Sequence, residues 1–342
     1  MKAVLVREFG SRPSVEDVPK PRAHDDGVVI EVRATGLCRS DWHAWQGHDQ
    51  DVHLPHVPGH EFAGVISEVG RDVTRWQKGD RVTVPFVCAC GQCEQCLSGN
   101  QQTCLRQQQP GFHHWGSFAE FVGVRWADEN LIHLPAELGF AAAAGLGCRF
   151  ATAYRGIRQV AQVQPGECVV VFGCGGAGLS AVMIAAAAGA RVIAVDTDRS
   201  ALELAAQHGA SAVVVAGSDG REQLTGLIGG VADVAVDAIG AAPVVADALA
   251  CLRPRGRLVQ IGLLPGAVQL DMSALIGREL QWLGSHGMAA HSYPQMLAEI
   301  AAGLLDPAAL VVREIGLEDV AGALDGMTHG GAVGVTVIRP AR

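Results

Sequence analysis

Four cysteines, Cys90, Cys93, Cys96 and Cys104, fall within fifteen residues of a 342-residue chain that holds ten in all. The pattern Cys-x2-Cys-x2-Cys-x7-Cys puts four thiolates into one loop, which is the donor set of a closed tetrahedral metal site. Zinc suits such a site because it takes thiolates readily and imposes little geometry of its own. Free thiols or an iron–sulfur cluster are the alternatives. No proline follows Cys104, and nothing else in the chain points to electron transfer. Cys88 lies just outside the pattern and reads as a spare thiol.

A second set is dispersed: Cys38 in Gly36-Leu37-Cys38-Arg39-Ser40-Asp41, His60 in Gly59-His60-Glu61, and Cys148 in Gly145-Leu146-Gly147-Cys148. Two thiolates and one imidazole leave a fourth position open for water or a substrate oxygen, as a Lewis-acid zinc requires. Taken singly, each residue has a plainer reading. Cys148 can be a small core residue, and His60 a hydrogen-bonded buried histidine. Spacing alone does not join the three.

Gly173-Cys174-Gly175-Gly176-Ala177-Gly178 matches G-x-G-x-x-G, and it follows the strand-like Cys168–Phe172 and precedes the helix-like Leu179–Ala188. The first glycine permits a tight turn, the second lets backbone approach a pyrophosphate, and the third allows close helix packing. The helix start then presents free N–H groups to phosphate. Asp196 closes the next strand-like run eighteen residues after Gly178. A carboxylate there accepts both ribose hydroxyls and repels a 2′-phosphate, which favours NAD over NADP. Arg199 keeps NADP open, since an arginine there can pair with a phosphate. The alternative is a glycine-rich turn that binds nothing.

The elements that must position these groups change rhythm along the chain. Residues 1–150 alternate short β-like runs with Gly/Pro punctuation, as in Val28–Val32, Ala63–Val69, Arg81–Val84 and Phe118–Val124. From about residue 165, apolar strands alternate with helix-length segments, which predicts a parallel, doubly wound α/β sheet. After about residue 288 the sequence predicts one helical stretch and a final strand, Val333–Ile338. Hydrophobic residues make up 49% and charged residues 18%, which fits a well-buried protein of two domains. Net charge is -9 with no lysine or arginine stripe, so nucleic acid and anionic membranes are poor partners. The apolar start Met1–Val6 is too short for a signal peptide, and Ala181–Ala188 is too short for a membrane span. The expected location is cytoplasmic.

In their order, the Gly59-His60-Glu61-x2-Gly64 run, Cys38-Arg39-Ser40-Asp41, the four-cysteine loop and the glycine motif together resemble the zinc-dependent medium-chain alcohol dehydrogenase family over essentially the whole chain. The resemblance implies a Rossmann doubly wound sheet (151–287) inserted in a mostly β, GroES-like catalytic domain (1–150, resumed at 288–342). It implies two zinc ions per subunit and NAD. Cys38, His60 and Cys148 would hold the catalytic zinc, with Glu61 beside it as an occasional ligand. Cys90, Cys93, Cys96 and Cys104 would hold the structural zinc. Ser40 matches the hydroxyl that hydrogen-bonds the alcohol, and His43 the histidine that relays its proton. Asp41 resembles the carboxylate that orients the histidine ligand. Arg39 falls at a pyrophosphate contact and Phe86 at a substrate-pocket position. Gly262 joins Gly173, Gly175, Gly176, Gly178, Asp196 and Arg199 in the cofactor-binding set.

The implied reaction is reversible hydride transfer between an alcohol and NAD, giving an aldehyde or ketone. Trp42, Trp45, Phe86, Phe112, His113 and Trp115 are candidates for an aromatic pocket suited to a bulky or aromatic substrate, each with a plain core reading beside it. A polyol or amino-alcohol dehydrogenase of the same family is the nearest alternative. A zinc-free quinone or enone reductase and a non-catalytic NAD-binding homologue stand further off. The β-prone run Glu279–Leu283 predicts an unblunted sheet edge, hence a homodimer or homotetramer.

Overall fold

Runs such as Cys168-Val169-Val170-Val171-Phe172 can satisfy their backbone only by pairing on both sides, and the fold gives them that. The computed structural model describes residues 1–328, 330 and 333–341. It divides into two units: Met1–Ala151, Gly287–Leu297 and Asp306–Arg342 in the first, and Thr152–His286 with Ala298–Leu305 in the second.

In the second unit six strands form one sheet in the order Ala210–Val215, Arg191–Asp196, Cys168–Phe172, Ala232–Asp237, Leu252–Gln260, Gln281–Gly284. Every neighbouring pair is parallel. Cys168–Phe172 is buried at each position, as a central parallel strand covered on both faces should be. From it the chain winds outward in one direction and then, from Ala232, in the other. The glycine motif therefore leaves the sheet at the point where strand order reverses, the usual ligand crevice of such sheets.

In the first unit the ten-residue strand Val28–Leu37 is the organiser. It pairs antiparallel with Phe62–Val69, Phe121–Val124 and Val335–Ile338 within a seven-stranded sheet. Its buried Val28, Ile30 and Val32 pack with Phe62, Ile66 and Val82. Among the described residues no helix is long and apolar enough to cross a membrane.

Three local expectations are corrected. The tail holds two α-helices, Tyr293–Ala301 and Val320–Thr328, and an added strand, Val311–Ile315. Gly322 and Gly326 weaken the second helix's local signal, so packing of Val320 and Leu324 in the core decides it. The edge strand begins at Gln281 rather than Glu279, because Glu279 takes a left-handed conformation with φ 48°. Ala298–Leu305, read as part of 288–342, clusters with the second unit, where Glu299 accepts hydrogen bonds from Tyr154 (2.6 Å) and Arg158 (2.7 Å).

Candidate active site

Where the strand Val28–Leu37 ends, Cys38 caps the helix Arg39–Trp45, and Asp41 in its first turn folds back on the cap. One carboxylate oxygen of Asp41 accepts the Cys38 N–H at 2.9 Å. The other accepts the Gly59 N–H at 3.1 Å and pairs with Nδ1 of His60 at 2.9 Å. A single buried carboxylate thus fixes the cysteine and the histidine against each other. Gly59 has no substitute there, since its φ is +104° and a Cβ would lie 2.6 Å from the Phe118 backbone nitrogen.

Cys148 arrives on the loop after Gly147, whose carbonyl accepts the Phe86 N–H at 2.9 Å. The neighbouring Leu146 carbonyl is held by the Tyr293 hydroxyl at 3.0 Å. The donor atoms of Cys38, His60, Glu61 and Cys148 all lie within 4.8 Å of one another. The Cys148 thiol hydrogen-bonds to Cys38 and holds it well below the usual thiol range, and that same bond, with burial, pushes Cys148 well up. The pair shares one proton, which a cation would displace.

His60 supplies the decisive detail. With Nδ1–H committed to Asp41, Nε2 is the ring atom left to face the thiols. It is buried and makes no hydrogen bond of good geometry. Burial works against charge on this ring, yet Asp41 and the Cys38 sulfur hold it well above the ordinary imidazole range. A ring nitrogen sealed away beside two thiols is a donor set that a metal would satisfy. Glu61 differs from its neighbours. Both its oxygens accept from Arg149, each at 2.9 Å from Nε and one also from Nη2, and the Arg149 backbone N–H is a third donor at 2.9 Å. Arg149 was not singled out in the sequence; its position next to Cys148 was the only signal.

The Ser40 hydroxyl lies 3.8 Å from the Cys38 sulfur. His43 stands further along the same helix, half-buried, its ring 5.0 Å from that of Trp42 and edge-on to it. Phe86 and Phe112 are buried with ring centroids 6.1 and 5.2 Å from His60. The Trp115 indole donates to the Pro55 carbonyl at 2.9 Å, and its half-buried ring packs on the core of Val57 and Phe118. Trp45 is likewise core. Arg39 donates to the carbonyls of Met327 (2.6 Å) and Gly330 (3.2 Å).

Cys90, Cys93, Cys96 and Cys104 converge in a separate lobe, with sulfur–sulfur distances of 3.4 Å for Cys93–Cys96 and 3.7 Å for Cys93–Cys104. Backbone N–H groups of Cys90 and Arg106 point at the Cys104 sulfur at 3.3 and 3.4 Å, as they do toward thiolates. Asn130 clamps the lobe's root, exchanging two hydrogen bonds with the Ala89 backbone (2.7 and 2.9 Å). Cys88 lies apart in the core, its thiol pushed up to about 12 by burial.

In the second unit, Gly173 turns at φ +90° and Gly178 presses so close that a Cβ would lie 1.7 Å from the Gly173 oxygen. At Gly175 a Cβ would meet nothing within 4 Å, so the backbone stands open just ahead of the helix Gly176–Ala187. That is the cradle a diphosphate needs. Asp196 accepts the Cys174 N–H at 2.6 Å and the Asp198 N–H at 2.9 Å, which ties the loop to the neighbouring strand. Arg199, exposed, begins the next helix. Gly262 donates to the Asp237 carbonyl at 2.9 Å and packs backbone-to-backbone on Gly240. The fully buried Asp237 also caps the Ile239 and Gly240 N–H groups, a role the apolar run around it concealed.

Comparison with known proteins agrees with this geometry. Residues 24–136 match the alcohol dehydrogenase GroES-like domain, and 176–302 the zinc-binding dehydrogenase domain. An alcohol dehydrogenase of Geobacillus stearothermophilus is 35% identical over 343 residues, covering 99% of each chain. An NAD-dependent alcohol dehydrogenase of Sulfurisphaera tokodaii is 31% identical, covering 99% of this chain and 100% of that one. The crystal structure of the alcohol dehydrogenase from Aeropyrum pernix superposes with a TM-score of 0.91 at 28% identity, covering 99% of this chain and 100% of that chain.

Proposed function

Because the chain belongs to the zinc-dependent medium-chain alcohol dehydrogenase family, we propose that it interconverts an alcohol and its aldehyde or ketone, with NAD as hydride acceptor, at the site formed by Cys38, His60 and Cys148. The observation that carries this reading is the buried, unpartnered Nε2 of His60 beside two thiols. When bound there, zinc supplies a Lewis acid that makes an alcohol more acidic, and NAD supplies the hydride acceptor.

The chain's own residues do the rest. Asp41 fixes the His60 tautomer. Arg149 occupies both oxygens of Glu61, which keeps that carboxylate out of the ligand set and leaves three donors with one open position. Ser40 accepts the alcohol's proton beside Cys38, and His43 moves it outward. Gly175 admits the pyrophosphate and Asp196 takes the ribose. Phe86 and Phe112 give the His60 side an aromatic wall, which favours a bulky or aromatic alcohol. Cys90, Cys93, Cys96 and Cys104 hold a second zinc that staples their lobe.

Initial rates of NAD reduction across primary, secondary, aromatic and polyhydroxy alcohols test the reading. Aromatic or bulky alcohols should lead, and NADP should lag. Polyols leading would reassign the substrate, and no oxidation by a zinc-loaded protein would remove the activity. The edge strand Gln281–Gly284 pairs on one side only within its sheet, and it supports a homo-oligomer joined edge to edge. Light scattering at the monomer's 35.7 kDa would refute that.

A further inference from the structure

We propose that His48 is a second proton carrier, which takes over from His43 the proton released by alcohol oxidation and hands it to water. The inference rests on the relay role read for His43 above. The two imidazoles meet Nδ1 to Nδ1 at 3.0 Å, with ring centroids 5.3 Å apart. At that distance one proton lies between the two nitrogens, so one ring donates and the other accepts. Each Nε2 is left for a different neighbour. His43 is half-buried and His48 exposed, so the pair leads from the protein toward solvent.

The backbone builds this contact. The helix Arg39–Trp45 ends with the Gly47 N–H on the Ala44 carbonyl at 3.1 Å and the His48 N–H on the His43 carbonyl at 3.0 Å. These two bonds form a Schellman cap, which folds His48, the second residue beyond the capping Gln46, over His43 in the last turn. The side-chain contact at such a cap is commonly apolar; at this one it joins two imidazoles. Gly47 is needed for the turn, because its φ is +75° and a Cβ would sit 2.8 Å from Cγ of Phe9. Trp42 closes the side, its ring edge-on to His43 at 5.0 Å and to His48 at 5.5 Å.

Burial first, then the neighbouring His48 and Arg39, hold His43 below the ordinary imidazole range, while Cys38 and Asp49 pull the other way. A ring that disfavours charge passes a proton on rather than keeping it. The transfer balances simply. His43 starts with its proton on Nδ1 and gains a second at Nε2. Its Nδ1–H bond breaks as an Nδ1–H bond forms on His48. His48 then loses its Nε2 proton to water, and exchange with solvent restores both tautomers. One proton enters and one leaves.

The test is single-turnover alcohol oxidation by zinc-loaded enzyme in weak buffer, with proton release followed by a pH indicator. Wild type is compared with His48→Gln and His48→Ala, each checked for wild-type zinc content and thermal midpoint. Release should slow by about tenfold in both variants, less than the full effect of a positioned acid or base because water also reaches the half-buried His43. The KM for alcohol should stay unchanged, and added imidazole should restore His48→Ala. In cofactor-free protein, the NMR titration midpoint of His43 should rise in His48→Gln, because a like charge is gone. Unchanged release, or a slowed variant that imidazole does not restore, would overturn the proposal. A wild type that oxidises no alcohol would overturn the parent reading instead.

Discussion

Nδ1 of His60 lies 2.9 Å from a carboxylate oxygen of Asp41, and both side chains are sealed from solvent. Asp41 also receives the N–H groups of Cys38 and Gly59, so it has an acceptor's task on every side. In Asp41→Asn, an amide NH2 must face one of those donors. Zinc affinity should fall by about 10–100-fold, the usual effect of losing a partner that orients a histidine ligand. Competition with a chelator measures it, and wild-type affinity in the variant would show that Asp41 does not orient His60.

Arg149 and Glu61 form a buried ion pair on the site, with Glu61 fully enclosed. Arg149→Met would strand that carboxylate, at a cost of about 3–5 kcal/mol. Urea unfolding should show the loss, and the double variant Glu61→Gln/Arg149→Met should recover part of it. A single variant as stable as wild type would mean that Glu61 finds water or another partner.

His56 is buried, bonded to the Gly111 carbonyl at 2.9 Å, and burial lowers it to about 4. The unfolded chain therefore binds a proton that the native one refuses between about pH 6.5 and 4. This group's contribution is complete above pH 6.5 and is lost as pH falls through that window, by about 3 kcal/mol. Zinc ligands titrate in the same range, but His56→Gln shares them. The stability difference between wild type and variant should thus shrink on acidification; a constant difference would contradict the assignment.

Two glycines of one motif should respond in opposite ways. A methyl at Gly175 meets open space, so Gly175→Ala should keep the thermal midpoint while raising the KM for NAD. A methyl at Gly178 collides with the Gly173 carbonyl, so Gly178→Ala should lower the midpoint. Equal behaviour would mean that Gly175 is not where the cofactor approaches.

Legibility in the sequence followed chain distance. The four-cysteine lobe and the glycine turn are local patterns, and each appears in its expected element because neighbouring residues alone determine it. The parallel strands were readable for the same reason, as apolar runs between helix-length segments. Glu61 and Arg149 stand 88 residues apart, and neither residue type hints at the other. Asp237 ends the strand Ala232–Asp237, and only the folded turn gives it donors to cap. His48 was hidden because its meeting with His43 depends on the left-handed Gly47 between them.

The most direct test follows NAD reduction at 340 nm with a good alcohol substrate, in wild type and in Cys148→Ser. Cys148 is one of three donors around the open position, whereas the lobe of Cys90, Cys93, Cys96 and Cys104 is separate and should retain its metal. Wild type should carry about two zinc ions per chain and reduce NAD. Cys148→Ser should keep about one zinc and its fold, and lose at least about a hundredfold in rate. A Cys148→Ser protein that reduces NAD at the wild-type rate would contradict the assignment of catalysis to this site.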